Sequence, residues 1–148
     1  MPPTLDPGSV MTGVIPYLYL NDARRAVDFY REAFAAVVYG DVTTMPGDPR
    51  IANVILVVNG RALMLADAIP ECGQSVVTGP CGITMQLVVA DGDTWWQRAV
   101  AAGCEVTCPF ETQFWGDRYG ALRDPFGVDW AINEPSPANL AKATQVRP

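Results

Sequence analysis

The segment from Phe114 to Tyr119, with the sequence Phe-Trp-Gly-Asp-Arg-Tyr, groups several side chains that could bind a small molecule. Its aromatic rings offer flat apolar surfaces on which a planar ligand could stack. Asp117 and Arg118 are adjacent, so they point to opposite faces of a strand, and a guanidinium can clamp a carboxylate or a phosphate. We therefore predict a pocket rim in which Trp115 stacks on the ligand and Arg118 holds an anionic group. The structural alternative is that a buried Trp115 fixes the start of a strand and Arg118 forms an ion pair.

The chain contains no histidine, and this absence excludes several kinds of catalytic site. Ser-His-Asp and Cys-His units cannot be built, and a metal site would have to use carboxylates, thiolates and amides alone. Tyr17, Tyr19 and Gln86 could form hydrogen bonds with a ligand. A tyrosine acts as an acid or base only if its pKa falls well below about 10, and no neighbouring base is evident in the sequence. These residues therefore indicate binding rather than catalysis.

The four cysteines do not have the spacing of a structural zinc site, because no CxxC element occurs. They are Cys72, Cys81, Cys104 and Cys108. We expect Cys104 and Cys108 on one strand, about 13 Å apart, which is too far for a disulfide. Reduced, half-buried thiols are therefore predicted.

Composition limits the partners of this chain of 148 residues, which is long enough for one domain or for two small modules that share a core. Its net charge of -6 argues against a nucleic-acid partner and favours neutral or cationic small ligands. No apolar run reaches the ~20 residues that span a bilayer, so no membrane partner is predicted. The segment Met1 to Gly8 has neither a charged nor an apolar region typical of a signal peptide, so we expect a cytoplasmic location.

The first half of the chain has the signals of a βαβββ module. Asn21-Asp22 can cap a helix, and Asn59-Gly60 is typical of a two-residue type I′ hairpin turn. The elements predicted around these signals are a strand at Val14–Leu20, a helix with apolar positions from Ala23 to Phe34, and strands at Val37–Thr43, Ile51–Val58 and Arg61–Asp67.

The second half repeats this order. Asp91 follows Asp22 by 69 residues, and Gly127 follows Gly60 by 67 residues. The predicted elements are a strand at Ile83–Val89, a helix from Trp95 to Ala102 that Gly103 can end, strands at Cys104–Phe110, Asp117–Arg123 and Val128–Asn133, and a type I turn at Asp124–Gly127. We expect one structural domain composed of module 1 (13–68), a linker (69–82), module 2 (83–134) and a tail (135–148) with a short helix at Pro137–Ala143.

One helix can cover only one face of each four-stranded sheet, so the other face needs a partner. We therefore predict an α+β fold in which two βαβββ modules pair into a curved, barrel-like sheet around a shared cavity. Strand alternation predicts an apolar set under the helices: Leu18, Leu20, Leu63, Leu65, Met85, Leu87, Val89, Trp130 and Ile132. The alternate set is mixed, as in a ligand pocket or a partly solvated cleft: Ile15, Tyr17, Tyr19, Met64, Thr84, Gln86, Val88, Asp129, Ala131 and Asn133.

Several motifs within this duplication resemble one known family. They are Tyr17-Leu-Tyr-Leu-Asn-Asp22, Phe29-Tyr30 with Ala33-Phe34, Leu63-Met-Leu-Ala-Asp67, Phe114-Trp-Gly-Asp-Arg-Tyr-Gly120 and Arg123-Asp-Pro-Phe-Gly127. Together they resemble the vicinal oxygen chelate superfamily, in its glyoxalase/bleomycin-resistance-like or demethylubiquinone-methyltransferase-like branch, over Gly13 to Glu134. The resemblance implies the fold and a homodimer. It implies no single function, because this scaffold hosts lyases, dioxygenases, antibiotic-modifying enzymes and metal-free drug-binding proteins.

Metal-dependent members of that family place ligands on the first and last strands of each module. The matching positions in this chain are Ile15, Met64, Ala131 and either Thr84 or Gln86. A metal ion needs about three good protein donors, and no carboxylate occupies these positions. We therefore predict no metal and no cofactor. A shifted register that recruits Gln86 or Glu134 is the alternative.

We interpret the chain as a metal-independent, homodimeric protein that binds a small molecule, such as an antibiotic or another amphipathic and cationic metabolite. The predicted ligand-binding residues are Tyr17, Tyr19, Met64, Gln86, Trp115, Asp117 and Arg118. One alternative is an enzyme, either a lyase or dioxygenase with a displaced metal site or a metal-free transferase-like protein. The other is a structural or interaction module without a ligand.

Overall fold

A computed structural model describes residues 7–79 and 81–143. The chain divides into two compact units, Met1–Thr78 and Gly79–Pro148, each with its own four-stranded sheet. Most of the segment Met1 to Gly8, considered above as a targeting signal, lies outside the described residues, as does the end of the predicted tail. No helix of the described ranges has the length and apolar character needed to cross a bilayer.

The first unit has the predicted βαβββ order, preceded by a short helix. Its sheet has the strand order β1-β4-β3-β2, in which β1 runs parallel to β4 and the other pairs are antiparallel. The elements are α1 (Pro7–Val10), β1 (Tyr17–Leu20), α2 (Ala23–Phe34), β2 (Val37–Thr44), β3 (Ile51–Val58), β4 (Arg61–Asp67) and a 3₁₀ turn at Pro70–Cys72.

The second unit repeats this topology, with the strand order β5-β8-β7-β6 and a parallel pair formed by β5 and β8. The α+β class with duplicated βαβββ units is therefore confirmed. The elements are β5 (Thr84–Val88), α3 (Gly92–Ala102), β6 (Glu105–Thr112), β7 (Arg118–Arg123), β8 (Asp129–Glu134) and the helix predicted in the tail, α4 (Pro137–Ala143).

Helix α2 is capped at both ends by contacts that explain its bounds. The Asp22 carboxylate accepts a hydrogen bond from the Arg25 backbone N–H at 3.0 Å. The helix ends where Ala35 adopts a left-handed φ of 51°. Its buried stripe is Ala23, Ala26, Val27, Tyr30, Ala33 and Phe34. The set Leu18, Leu20, Leu63 and Leu65 is also buried, as the alternation of β1 and β4 predicts.

Helix α3 packs on its sheet through Trp96. The Trp96 ring is stacked on Phe110 with a centroid distance of 5.4 Å, and it lies directly over Gly120, where a side chain would collide with it. Trp95 is also half-buried, and its ring carries the Arg98 guanidinium at 4.5 Å. The two adjacent tryptophans therefore point to different surroundings, as their angular separation on a helix requires.

Five strands begin later than the sequence predicts: β5 begins at Thr84 instead of Ile83 and β8 at Asp129 instead of Val128, and for two of the others a local reason is visible. Strand β1 begins at Tyr17 rather than Val14, because Pro16 has no N–H with which to continue the ladder. Strand β6 begins at Glu105, because the Cys104 N–H donates to Ala99 and so belongs to the end of α3. The expectation that Cys104 and Cys108 share a strand is therefore wrong. Strand β7 begins at Arg118 instead of Asp117.

The four cysteines are free, but they are not uniformly half-buried as predicted: Cys72 and Cys81 are exposed, Cys104 is buried and Cys108 is intermediate. Burial, assisted by the nearby Asp124 carboxylate, raises the pKa of the Cys104 thiol from 9.0 to about 12. The thiolate is the reactive form, so Cys104 should be inert in the folded protein.

We expect iodoacetamide to alkylate Cys72 and Cys81 at mildly alkaline pH, and Cys104 only after unfolding in urea, as peptide mass spectrometry can show. The pKa of the Cys104 thiol is about 12 in the folded protein and 9.0 in the unfolded chain. The contribution of this thiol to the free energy of unfolding is therefore present below pH 9.0 and is lost as the pH rises towards 12. The variant Cys104→Ser should lack this loss. Labelling of folded Cys104 as fast as Cys72 would contradict the prediction.

Candidate functional site

In the first unit, three of the predicted ligand-binding residues share the sheet face opposite α2, which we call the first open face. Tyr17 and Met64 are register partners on β1 and β4, and Tyr19 lies two residues further along β1. The Tyr17 and Tyr19 rings are 4.9 Å apart and tilted by 40°. The register continues this row through Ile55 to Tyr39, so the first open face carries three tyrosines.

The two tyrosine hydroxyls on β1 differ in how they are bound. The Tyr17 hydroxyl donates to the Ala52 carbonyl at 3.0 Å and accepts from Asn53 Nδ2 at 3.2 Å. The hydroxyl hydrogen is already used in a hydrogen bond, so Tyr17 can offer a ligand mainly its ring. Tyr17 is 37% exposed. Within the described part of the chain, the Tyr19 hydroxyl has no hydrogen-bond partner. Tyr19 is thus the tyrosine of β1 that can exchange a hydrogen bond with a ligand.

One end of the first open face is closed by apolar contacts. Val10 of α1 is buried against Val57 and Ala62, and Ile15 and Tyr39 pack at the edge of this cluster. Ile15, which occupies a position of a family metal ligand, is therefore part of an apolar wall. This face is a tyrosine-lined surface with an apolar boundary.

In the second unit, Gln86 lies on the face opposite α3, which we call the second open face. It is the register partner of Ala131, and Ala131 is in turn paired with Ala121. The next row contains Val88, Asn133 and Tyr119. Gln86 and Val88 are exposed, and Tyr119 is half-buried. The small residues Ala131 and Ala121 lie between the amide and the tyrosine on this face, and Ala131 is fully buried.

Arg118 lies on the other side of this sheet, under α3, and not with Gln86. Its guanidinium forms a bidentate contact with the Asp93 carboxylate at 2.7 and 3.1 Å, and a second ion pair with Glu134 at 3.6 Å. It also covers the Phe110 ring at 4.4 Å. Asp93 raises the pKa of Arg118, and Arg118 lowers the pKa of Asp93. The structural alternative thus describes Arg118, and we leave it out of the candidate site.

The Asp117 carboxylate is also used in hydrogen bonds within the protein. Its buried carboxylate accepts hydrogen bonds from the Ser136 N–H at 2.8 Å, from Asn139 Nδ2 at 2.8 Å and from Asn133 Nδ2 at 3.1 Å. These donors, Ser136 first, hold the pKa of Asp117 below its usual value. The carboxylate therefore connects β7 to the tail and is not offered to a ligand.

Trp115 and its neighbour Phe114 form an exposed aromatic tip on the turn before β7. Phe114 is 98% exposed and Trp115 is 42% exposed, and the two rings meet edge to face at 4.9 Å. The Trp115 ring contacts Tyr119 at 5.7 Å. Because Tyr119 lies on the second open face, Trp115 stands at the border of that face. Sequence reasoning missed Tyr39 and gave Tyr119 no role of its own within the segment Phe114–Tyr119, although the alternation of β2 and β7 places both tyrosines on the open faces.

The residues at the family's metal positions do not fit a metal ion. Within residues 7–79 and 81–143, no group of three or more His, Cys, Asp or Glu side chains could hold one. Met64 and Ala131 provide no oxygen donor. Glu134, the alternative ligand in a shifted register, lies under α3, where it accepts a hydrogen bond from the Gly92 N–H at 2.7 Å and pairs with Arg118. Gln86 alone cannot supply the donors that a stable site needs.

Comparisons with known proteins agree with this fold. The family model described as Glyoxalase/Bleomycin resistance protein/Dioxygenase superfamily matches residues 10–132. An uncharacterized protein of Mycobacterium bovis is 41% identical over 133 residues, which cover 86% of each chain.

Solved structures show the same architecture. A gene product of Arabidopsis thaliana is 26% identical, with a TM-score of 0.65 over 83% of this chain and 98% of its own. TioX from Micromonospora sp. ML1 is 22% identical, with a TM-score of 0.64 over 84% of this chain and 97% of its own, a likeness of fold alone.

Proposed function

The chain belongs to the glyoxalase/bleomycin resistance protein/dioxygenase superfamily, and on this premise we propose that it binds a planar, amphipathic small molecule without the help of a metal ion. The observation that carries the proposal is the exposed Trp115 ring, fixed against Tyr119 beside a sheet face whose central positions bear small apolar side chains instead of metal ligands. An enzyme with a displaced metal site is not favoured, since Glu134 is bound elsewhere.

The chemistry of the open faces supports a ligand of this class. Trp115 is 42% exposed, so a flat ligand can stack on the exposed part of its ring while the contact with Tyr119 supports the ring. Gln86, on the same sheet face as Tyr119, offers an amide for orientation. The net charge of -6 favours a cation over an anion at long range. The family description includes bleomycin resistance proteins, which supports an antibiotic-like compound as the natural ligand.

Two further parts of the proposal concern the cellular location and the oligomeric state of the protein. We place it in the cytoplasm, which its four free cysteines support, because disulfides are rare in that compartment. The family resemblance supports a homodimer, and sedimentation measurements can determine its mass.

Fluorescence titration with two planar probes of similar shape tests the proposal. 9-Aminoacridine is a cation near neutral pH, and anthracene-9-carboxylate is an anion. We expect saturable quenching of tryptophan emission by the cation at micromolar concentration, and weaker binding of the anion that improves as salt screens the repulsion. No saturable binding of either probe up to millimolar concentration would overturn the proposed function.

Removing the Trp115 ring should weaken binding of 9-aminoacridine. An aromatic contact contributes about 0.5–1.5 kcal/mol beyond burial, so Trp115→Ala should raise the Kd by about 2- to 12-fold. Trp95→Ala is the matched control, because Trp95 is also partly exposed but lies on α3, on the other side of the sheet. Equal losses of affinity in both variants, measured by calorimetry, would place the ligand elsewhere.

A further inference from the structure

Helix α4 is joined to the second unit almost entirely through polar contacts. Of its described side chains, from Pro137 to Lys142, Asn139 alone is not exposed. Leu140, the largest apolar residue of the helix, is 57% exposed. Hydrophobic burial therefore contributes little to holding this helix in place, and the Asn139 amide becomes its principal side-chain anchor.

The Asn139 amide contacts the turn that carries Trp115. Its Nδ2 atom donates to the Trp115 carbonyl oxygen at 2.8 Å and to Asp117 Oδ1 at 2.8 Å, so both amide hydrogens are used. Ser136 helps to hold the start of the helix. Its hydroxyl accepts a hydrogen bond from the Asn139 backbone N–H at 3.2 Å, and its own backbone N–H donates to the Asp117 carboxylate. A single side chain thus connects the tail helix to the backbone of the aromatic tip.

The turn itself is shaped to accept this contact. Gly116 has a left-handed φ of 102°, and a Cβ atom there would lie 3.5 Å from Ser136 Oγ and 3.6 Å from Asn139 Nδ2. The turn is closed by hydrogen bonds from the Gly116 N–H to Gln113 at 3.0 Å and from the Gln113 N–H to Asp117 at 2.8 Å. Tail and turn therefore meet over Gly116, where most other residues would be strained.

We infer that Asn139 is a positioning residue, which fixes the backbone of Trp115 so that its ring is already oriented for stacking when the ligand arrives. This inference rests on the proposed function, because the fixed position of Trp115 affects affinity only if Trp115 contacts the ligand. Without the amide, the tip keeps its own turn and the ring contact between Trp115 and Tyr119, but it loses the hydrogen bond that the tail donates to the Trp115 carbonyl. Ordering an exposed side chain on binding costs affinity, so a preset ring binds more tightly.

Three variants separate positioning from general stability. Asn139→Ala removes both hydrogen bonds, and Asn139→Asp keeps the shape but places an acceptor against the Trp115 carbonyl and the Asp117 carboxylate. Leu140→Ala is the control on the same helix. We expect the Kd of 9-aminoacridine to rise about 3- to 10-fold in both Asn139 variants and to change less than 2-fold in Leu140→Ala.

Combination with Trp115→Ala distinguishes the positioning role from a structural one. If Asn139 acts through Trp115, Asn139→Ala should cause no further loss of affinity when Trp115 is already absent. Fluorine NMR of protein labelled with 5-fluorotryptophan supplies a readout without ligand. The Trp115 resonance, identified from Trp115→Phe, should shift and change width in the Asn139 variants, while those of Trp95, Trp96 and Trp130 stay in place.

The possible failures are distinguishable. If wild-type protein binds neither 9-aminoacridine nor anthracene-9-carboxylate, the proposed function fails, and the fluorine spectrum still decides whether Asn139 orders the tip. If wild-type protein binds but the Asn139 variants have an unchanged Kd and an unchanged Trp115 resonance, the positioning role is refuted. An equal loss of affinity with and without the Trp115 ring would also overturn it.

Discussion

Replacing Asp124 with alanine should lower the free energy of unfolding by about 3–5 kcal/mol, because three hydrogen-bond donors would lose their acceptor in the interior. Asp124 is 4% exposed and stands at the first position of the turn before β8. Its carboxylate accepts from the Phe126 N–H at 2.8 Å, the Val128 N–H at 3.0 Å and Trp130 Nε1 at 2.9 Å. It therefore organises both the turn and the core tryptophan of the second unit.

Urea unfolding monitored by circular dichroism measures this effect. Asp124→Asn retains one oxygen acceptor and should lose less stability than Asp124→Ala. Asp129→Asn is the control: Asp129 lies at the start of β8, but its carboxylate accepts a hydrogen bond from Arg123 at 2.8 Å in a partly exposed ion pair, so its replacement should cost less than the loss of three buried hydrogen bonds. Equal unfolding midpoints for Asp124→Ala and the wild type would show that the buried acceptor is dispensable.

A methyl group at Gly120 should destabilise the second unit by about 3 kcal/mol, the upper part of the range for overpacked cores. An added Cβ would lie 2.6 Å from a ring carbon of Trp96 and 2.7 Å from the Phe110 Cα. A flexible side chain could move aside, but a strand backbone and a ring packed under α3 cannot do so cheaply. Gly120→Ala should therefore unfold at clearly lower urea concentration than the wild type.

Two companion variants make this prediction specific. Trp96→Phe removes the ring atoms nearest Gly120, so Gly120→Ala should cost less in that background than alone, although the Phe110 contact remains. Ala121→Ser changes the next residue, which lies on the second open face, and should leave the unfolding midpoint nearly unchanged. A Gly120→Ala protein as stable as the wild type would mean that α3 does not pack as closely as described.

Local signals in the sequence predicted most of the fold. Asn59 and Gly60 both have positive φ, as the I′ turn requires, and the Gly127 N–H closes the Asp124 turn at 3.2 Å. The duplication is present in tertiary contacts as well: Asp67 accepts from the Ala23 N–H at 2.9 Å, and Glu134 accepts from the Gly92 N–H. A carboxylate at the end of the last strand thus holds the start of the long helix in both units. The pairing of the two modules around a cavity stays a prediction.

The candidate site was less predictable, because its contacts are not local. Alternation places Asp117 and Arg118 on opposite sides, but it does not say which of them has a partner on α3. The anchoring of Trp115 depends on Asn139, which is 24 residues away and contacts a backbone carbonyl that no residue type marks. Tyr17 and Tyr19 are equivalent in sequence, and only the contact with Ala52 shows that one hydroxyl is committed.

Calorimetric titration of 9-aminoacridine into protein dialysed against EDTA tests the central claim most directly. We expect one saturable site per chain, with a micromolar Kd that does not change when zinc, nickel or manganese is restored. Binding that is absent from the chelator-treated protein and returns with one equivalent of metal would contradict it, because the ligand would then depend on a metal ion and not on the aromatic rings around Trp115.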